Sequence, residues 1–147
     1  MKFNCSVTIN ASLEKVLDLF VDTENLKEWQ NGFVGMEHLD GIPGEPGAQS
    51  RMTYLIGKRE IDLIETIQVN NLPEEFTALY EAQTMVNTMT NRFVELEDGR
   101  TRYDAFVEYT HFKGFMPKLM VYLLPGVFRK QTLKWLFQFR DFVEGVA

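Results

Sequence analysis

The side chains with chemistry to offer in this sequence are set among apolar ones. Glu65 falls at an alternate position of an otherwise greasy run, Ile61, Leu63, Glu65, Ile67, Val69. A carboxyl there serves as a proton acceptor or as an anchor for the polar end of a ligand. Its plainer role is a strand carboxylate paired to Arg92 or hydrogen-bonded to Ser50. Arg92 offers a two-pronged grip on a carboxylate or phosphate, or else turns to solvent at a β-bulge. His111 and Tyr109 offer proton transfer, against the plainer reading of His111 as a satisfied strand-end residue. Asp22 reads as a helix cap, Trp29 as a core anchor and Cys5 as an inert thiol on an apolar strand face. The sequence shows no nucleophile triad, no phosphate-cradling glycine loop after a strand and no His/carboxylate cluster at metal spacing. Neither a cofactor nor a metal is expected.

The chain has 147 residues, enough for one domain over 1–147 with a sizeable core. Fifteen basic and twenty-one acidic residues leave a net charge of -6. That argues against nucleic acid, which needs clustered Lys and Arg. Twelve Phe and seven Met are many for this length and suit large, adaptable apolar spaces. One cysteine excludes an intrachain disulfide, and the first residues carry no apolar leader. A cytoplasmic protein is the expectation. The stretch FMPKLMVYLLPGVF, residues 115–128, holds a single charge at Lys118. It falls short of the roughly 20 apolar residues that span a bilayer, so no stable membrane insertion is expected. It reads first as core and cavity wall, then as a homodimer surface, and last as a transient membrane contact.

These side chains need elements to place them. Alternation over residues 2–9 predicts a strand. Asn10, Ala11 and Ser12 precede a helical spacing of Leu13, Val16, Leu17 and Phe20, and Asp22 precedes a second short helix over 23–29. Strands follow at 34–39, 49–56, 59–69, 76–82, 85–96 and 101–112. A long helix spans 116–144, with Pro125-Gly126 kinking or interrupting it. The reading is α+β.

Two hairpins predict which side chains share a face. Gly57-Lys58 suits a two-residue type II′ turn and pairs Tyr54 with Ile61, Met52 with Leu63 and Ser50 with Glu65, on an inward face. Asp98-Gly99, read as a two-residue turn, pairs Leu96 with Thr101. It sends Thr88, Thr90, Arg92, Val94, Tyr103, Ala105, Val107, Tyr109 and His111 inward. Met89, Asn91, Phe93 and Phe106 then face solvent. Apolar walls with a few convergent polar groups describe a small-molecule pocket.

The element order resembles the helix-grip superfamily: START lipid-transfer domains, pollen-allergen-like plant proteins and bacterial polyketide cyclase/dehydrase-like (SRPBCC) proteins. VTINASLEKV at 7–16 is similar to the family's opening strand and helix start, and DTENLKEW at 22–29 to its second helix, with Thr23 for the usual Pro. GEPGA at 44–48 is similar to its third-strand entry, and DGRTR at 98–102 to its last hairpin. The resemblance implies a curved antiparallel sheet of about seven strands wrapped around a long C-terminal helix, with a cavity between them. It carries over no catalytic residue. The expected ligand-binding candidates on the sheet are Ser50, Met52, Tyr54, Leu63, Glu65, Tyr80, Thr88, Thr90, Arg92, Tyr109 and His111. Those on the helix are Val121, Leu124, Phe128 and Trp135. Entry would be gated by flexing at Pro125-Gly126 and by the loop over 41–47. The expected function is binding or carriage of a hydrophobic small molecule: a lipid, polyketide-like or isoprenoid compound. The alternatives are a cyclase/dehydratase-type enzyme, with Glu65, Tyr109 or His111 moving protons, and a protein-interaction module of the chaperone-activator kind.

Overall fold

The computed structural model describes residues 1–147 apart from Pro125 and the side chains of Met116 and Val121. The chain runs β1 (Lys2–Ile9), α1 (Leu13–Val21), a 3-10 turn (Thr23–Asn25), α2 (Leu26–Trp29), β2 (Phe33–Asp40), β3 (Gln49–Ile56) and β4 (Arg59–Asn71). It continues through β5 (Glu75–Ala82), β6 (Met85–Glu95), β7 (Thr101–Phe112), α3 (Phe115–Leu123) and α4 (Gly126–Gly145). The seven strands form one sheet in the order β1-β7-β6-β5-β4-β3-β2, antiparallel throughout. Strands β1 and β2 are consecutive in sequence yet occupy opposite edges, and α1 and α2 carry the chain between them.

The helix starts follow from short polar side chains. Ser12 Oγ accepts from the Lys15 N–H at 3.2 Å, and Asp22 Oδ1 accepts from the Glu24 N–H at 3.0 Å. Each satisfies a donor that a helix start leaves without an intrahelical partner.

The Gly57 turn sets the β3–β4 register that the sequence predicts. Ile56 faces Arg59, Tyr54 faces Ile61, Met52 faces Leu63 and Ser50 faces Glu65. Gly57 has φ 63°, which its lack of a Cβ permits. The β6–β7 turn departs from expectation. The Leu96 N–H donates to the Arg100 carbonyl at 2.8 Å, and the Gly99 N–H donates to the Leu96 carbonyl at 3.0 Å. Glu97, Asp98 and Gly99 thus form a three-residue loop, with Gly99 at φ 86°. Glu95 then faces Thr101, and Phe93 faces Tyr103. One extra loop residue inverts the whole of β6.

Register shifts in β4 and β7 shape the inner part of the sheet. The register shifts between Val86 and Asn87, which face His111 and Tyr109, so that Thr110 is an extra residue in β7. A second shift falls between Ile67 and Val69 in β4.

The predicted long helix is two helices. Leu124, at φ -133° and ψ 59°, ends α3 before α4 begins. Pro125 lies outside the described residues. Thr132, Leu136, Phe139 and Val143 form the buried stripe of α4. The core joins them to Cys5, Val7 and Ile9 of β1, Val16, Leu26 and Trp29 of the short helices, and Met52, Tyr54, Phe93, Tyr103 and Ala105 of the sheet. Phe139 is its hub: its ring lies 4.9 Å from Trp29, 5.9 Å from Phe20 and 5.7 Å from Tyr103. Burying each such side chain contributes about 1.5–3 kcal/mol.

Candidate functional site

The sheet's inward face carries a polar row that crosses it from strand to strand. Ser50 faces Glu65, Glu65 faces Tyr80, Tyr80 faces Asn87 and Asn87 faces Tyr109. Rows of apolar side chains flank it. Met36, Met52, Leu63 and Ala82 lie on one side. Ile67, Ala78, Met89 and Val107 lie on the other. The alternation of each strand and the tight β3–β4 turn bring these residues into register.

The Tyr80 hydroxyl donates to Glu65 Oε2 at 2.8 Å. Glu65 is buried, and among the described residues no Lys or Arg forms an ion pair with it. Burial pushes its carboxyl above the ordinary carboxylate range, and the Tyr80 hydrogen bond pulls back only in part. Burial also raises the Tyr80 and Tyr54 phenols, and the nearby Glu65 charge adds to both. Burial pushes Tyr109 up to about 12. The phenols are therefore neutral hydrogen-bond donors near neutral pH. The Tyr54 hydroxyl donates to Gln30 Oε1 at 2.7 Å, and the Tyr103 hydroxyl donates to Asn91 Oδ1.

Helix α4 closes one side of this face. The Trp135 ring stacks on Tyr54 with centroids 5.6 Å apart and planes 23° apart. The Phe128 ring lies 5.0 Å from Tyr109 and 5.8 Å from Phe112. The Trp135 and Trp29 indole N–H groups and Gln138 Oε1 are buried with no hydrogen-bond partner among the described residues. Buried polar atoms are nearly always partnered, so these three are unusual. Leu63, Tyr80, Asn87 and Met89 lie on inner strands and face inward, yet they are only half-buried.

Ser50, Met52, Tyr54, Leu63, Glu65, Tyr80 and Tyr109 of the predicted set share this inward face, and Phe128 and Trp135 meet it from α4. The inverted β6 corrects three others. Thr88, Thr90 and Arg92 point to the opposite face, and Asn87, Met89, Asn91 and Phe93 take the inward positions. Arg92 is exposed, and its Nε donates to the Glu74 carbonyl at 3.1 Å. The Thr110 bulge corrects His111: it is exposed, beside the Thr110 hydroxyl, and Phe112 turns inward in its place. Leu124 is exposed in the break between the helices. The Val121 side chain lies outside the described residues. Sequence reasoning missed Asn87 and Asn91. The signal was Met89 and Phe93, two apolar side chains alternating on a strand face assigned to water.

The loop over 41–47 is tied down. The Gly47 N–H donates to the Ile67 carbonyl at 2.7 Å, and Asn70 Nδ2 donates to the Gly44 carbonyl at 2.6 Å. Two open surface hollows lie away from the polar row. One, of about 430 Å³, sits between Ser12, Lys15 and Asp18 of the α1 region and the C-terminal Val146. The other, of about 440 Å³, sits on the outer face around Asn4, Thr90, Arg92 and Asp104. Among the described residues no helix is long and apolar enough to cross a membrane. No group of three or more His, Cys, Asp or Glu among them is placed to hold a metal ion.

No protein-family model and no curated protein matches the sequence. Solved structures do match in shape. The Zhui aromatase/cyclase from Streptomyces sp. R1128 superposes with a TM-score of 0.82 at 12% identity, covering 98% of this chain and 93% of that one. TTHA0849 from Thermus thermophilus gives 0.78 at 17% identity, with 98% and 97% covered. Major latex-like protein 151 from Panax ginseng gives 0.72 at 12% identity, with 97% and 96% covered. Identities this low speak to architecture alone. A seven-stranded antiparallel sheet curved over a C-terminal helix, with two short helices after its first strand, makes this chain a member of the helix-grip fold.

Proposed function

We propose that the protein binds a hydrophobic small molecule between the inward face of the sheet and α4. The observation that carries this is the polar row set in apolar walls, above all Glu65. One of its oxygens is held by Tyr80, and the other accepts no hydrogen bond from the described residues. The half-buried state of Tyr80 and Met89 on inner strands supports unfilled space beside them. Apolar contact supplies affinity at about 25 cal/mol per Å² removed from water. The polar row orients the guest.

The row also limits what the guest carries. Arg92 faces outward, and the inward row contains no Lys or Arg. A carboxylate or phosphate head would meet Glu65 with no compensating cation. The fitting polar end is a hydroxyl, a carbonyl facing an unpartnered indole N–H, or an amine facing Glu65. The similarity in shape to an aromatase/cyclase and a latex-like protein is compatible with this reading.

One specific observation favours a second reading. The Tyr80–Glu65 hydrogen bond joins a phenol to a carboxyl of raised pKa, a pair able to relay a proton in cyclase/dehydratase-type chemistry. Native purification, solvent extraction and mass spectrometry test the binding reading. A neutral or amine-bearing apolar compound, released when Leu63→Asp is introduced, supports it. A protein that comes through empty and gives no enhanced fluorescence with an apolar dye refutes it. Turnover lost in Glu65→Gln with binding retained would favour the enzyme.

A further inference from the structure

The region around α3 stands apart in charge and exposure. Residues 109–140 contain six of the fifteen basic residues and none of the twenty-one acidic ones. Lys113, Lys118, Lys130 and Lys134 are exposed, and none pairs with a carboxylate among the described residues. Interleaved with them is a patch of large apolar side chains turned to water: Phe115, Met120, Tyr122, Leu123, Leu124 and Val127. Phe115 is 75% exposed and Tyr122 83%. Elsewhere such side chains are exposed mainly one at a time, which is ordinary. Here they cluster within residues 115–127, along one short helix, the break after it and the start of α4, a pattern that marks an interaction surface.

We propose that this end of the protein docks on the surface of an anionic lipid bilayer, with α3 lying in the interface. Phe115, Tyr122, Leu123 and Leu124 enter the headgroup–acyl boundary, and the lysines meet the lipid charge. Charge complementarity selects this occupant. The protein as a whole has a net charge of -6 and is repelled by an anionic surface, so only its locally basic end approaches. A second copy of the chain fits poorly. Two-fold pairing would bring two patches of the same positive charge together. A stable dimer also buries about 800 Å² a side, more than one nine-residue helix supplies. The aromatic and long basic side chains are those that settle at a lipid–water boundary. This docking stands on the exposed patch and its charge and requires no guest between sheet and α4.

Vesicle sedimentation tests it. The full chain is mixed with vesicles of phosphatidylcholine alone, or with about 30% phosphatidylglycerol, at about 50 and 500 mM salt. The expected result is pelleting with the anionic vesicles that weakens roughly tenfold or more at high salt, and little pelleting with phosphatidylcholine. Leu123→Asp with Leu124→Asp should cut anionic binding about tenfold or more while the thermal midpoint stays unchanged. Lys113→Glu with Lys118→Glu should do the same by a separate route. The proposal is overturned if the protein stays in the supernatant with anionic vesicles at low salt. It is overturned equally if neither double variant reduces binding, or if sedimentation velocity shows a micromolar dimer that Leu123→Asp dissolves.

Discussion

The Tyr80 hydroxyl and Glu65 Oε2 lie 2.8 Å apart on facing positions of β4 and β5, and the carboxylate has no cation to share among the described residues. As a charge, a buried carboxyl of this kind weakens the fold. Its pH behaviour follows directly. The folded state raises the pKa of Glu65, so the folded protein binds the proton more tightly than the unfolded chain does. The associated stability is fully present below the unfolded pKa of about 4.3 and is lost as pH rises through the folded value.

Glu65→Gln keeps an acceptor for Tyr80 and removes the charge. It is expected to stabilise the protein by about 1 kcal/mol near pH 8 and by nothing near pH 4. Urea unfolding of both proteins across that range checks the sign. A variant less stable than wild type at pH 8 would contradict the burial of the charge.

Tyr80→Phe takes away the one hydrogen bond that the carboxyl accepts among the described residues. A loss of about 1–3 kcal/mol is expected. The Glu65 carboxyl should titrate higher still, since the group that lowers its pKa is gone. Carbon-detected NMR of the Glu65 side chain in the two proteins measures this shift.

Arg92→Ala tests the orientation of β6. With the guanidinium outside and held, among the described residues, by the Glu74 carbonyl alone, stability should change by less than about 0.5 kcal/mol. Dye binding should not change. A large loss of either would return Arg92 to the inward face.

Phe139→Ala removes a ring that is 0% exposed and touches Trp29, Phe20 and Tyr103. A loss of about 3–5 kcal/mol is expected by chemical denaturation. Phe115→Ala, by contrast, should cost less than about 0.5 kcal/mol, because its ring is already in water.

The layers and the element order were legible because each strand's alternation and each helix's spacing is a local property. The inward set on β3 and β4 was legible too, because Gly57-Lys58 admits one short turn. β6 was not legible. Asp98-Gly99 suits a two-residue turn as well as the three-residue loop that forms, and the Asp98 carboxylate favours the longer one by accepting from the Arg100 N–H at 3.1 Å and from its Nε at 2.8 Å. One residue of loop decided whether Arg92 or Asn91 faces inward. His111 failed for a similar reason. No residue type announces the Thr110 bulge, which only the pairing of Val86 with His111 and Asn87 with Tyr109 reveals.

The placement of β1 and β2 at opposite edges carries a consequence for synthesis. Lys2 pairs with Glu108 and Ile9 with Thr101. β1 must therefore wait until β7 has been made before it has this neighbour. During that interval Val7 and Ile9 have no sheet to enter, while the hairpins from β2 to β6 can zip in order. Until residue 112 has emerged, the backbone groups of β1 that pair with β7 stay open to association. Pairing of β1 with β7 then completes the sheet.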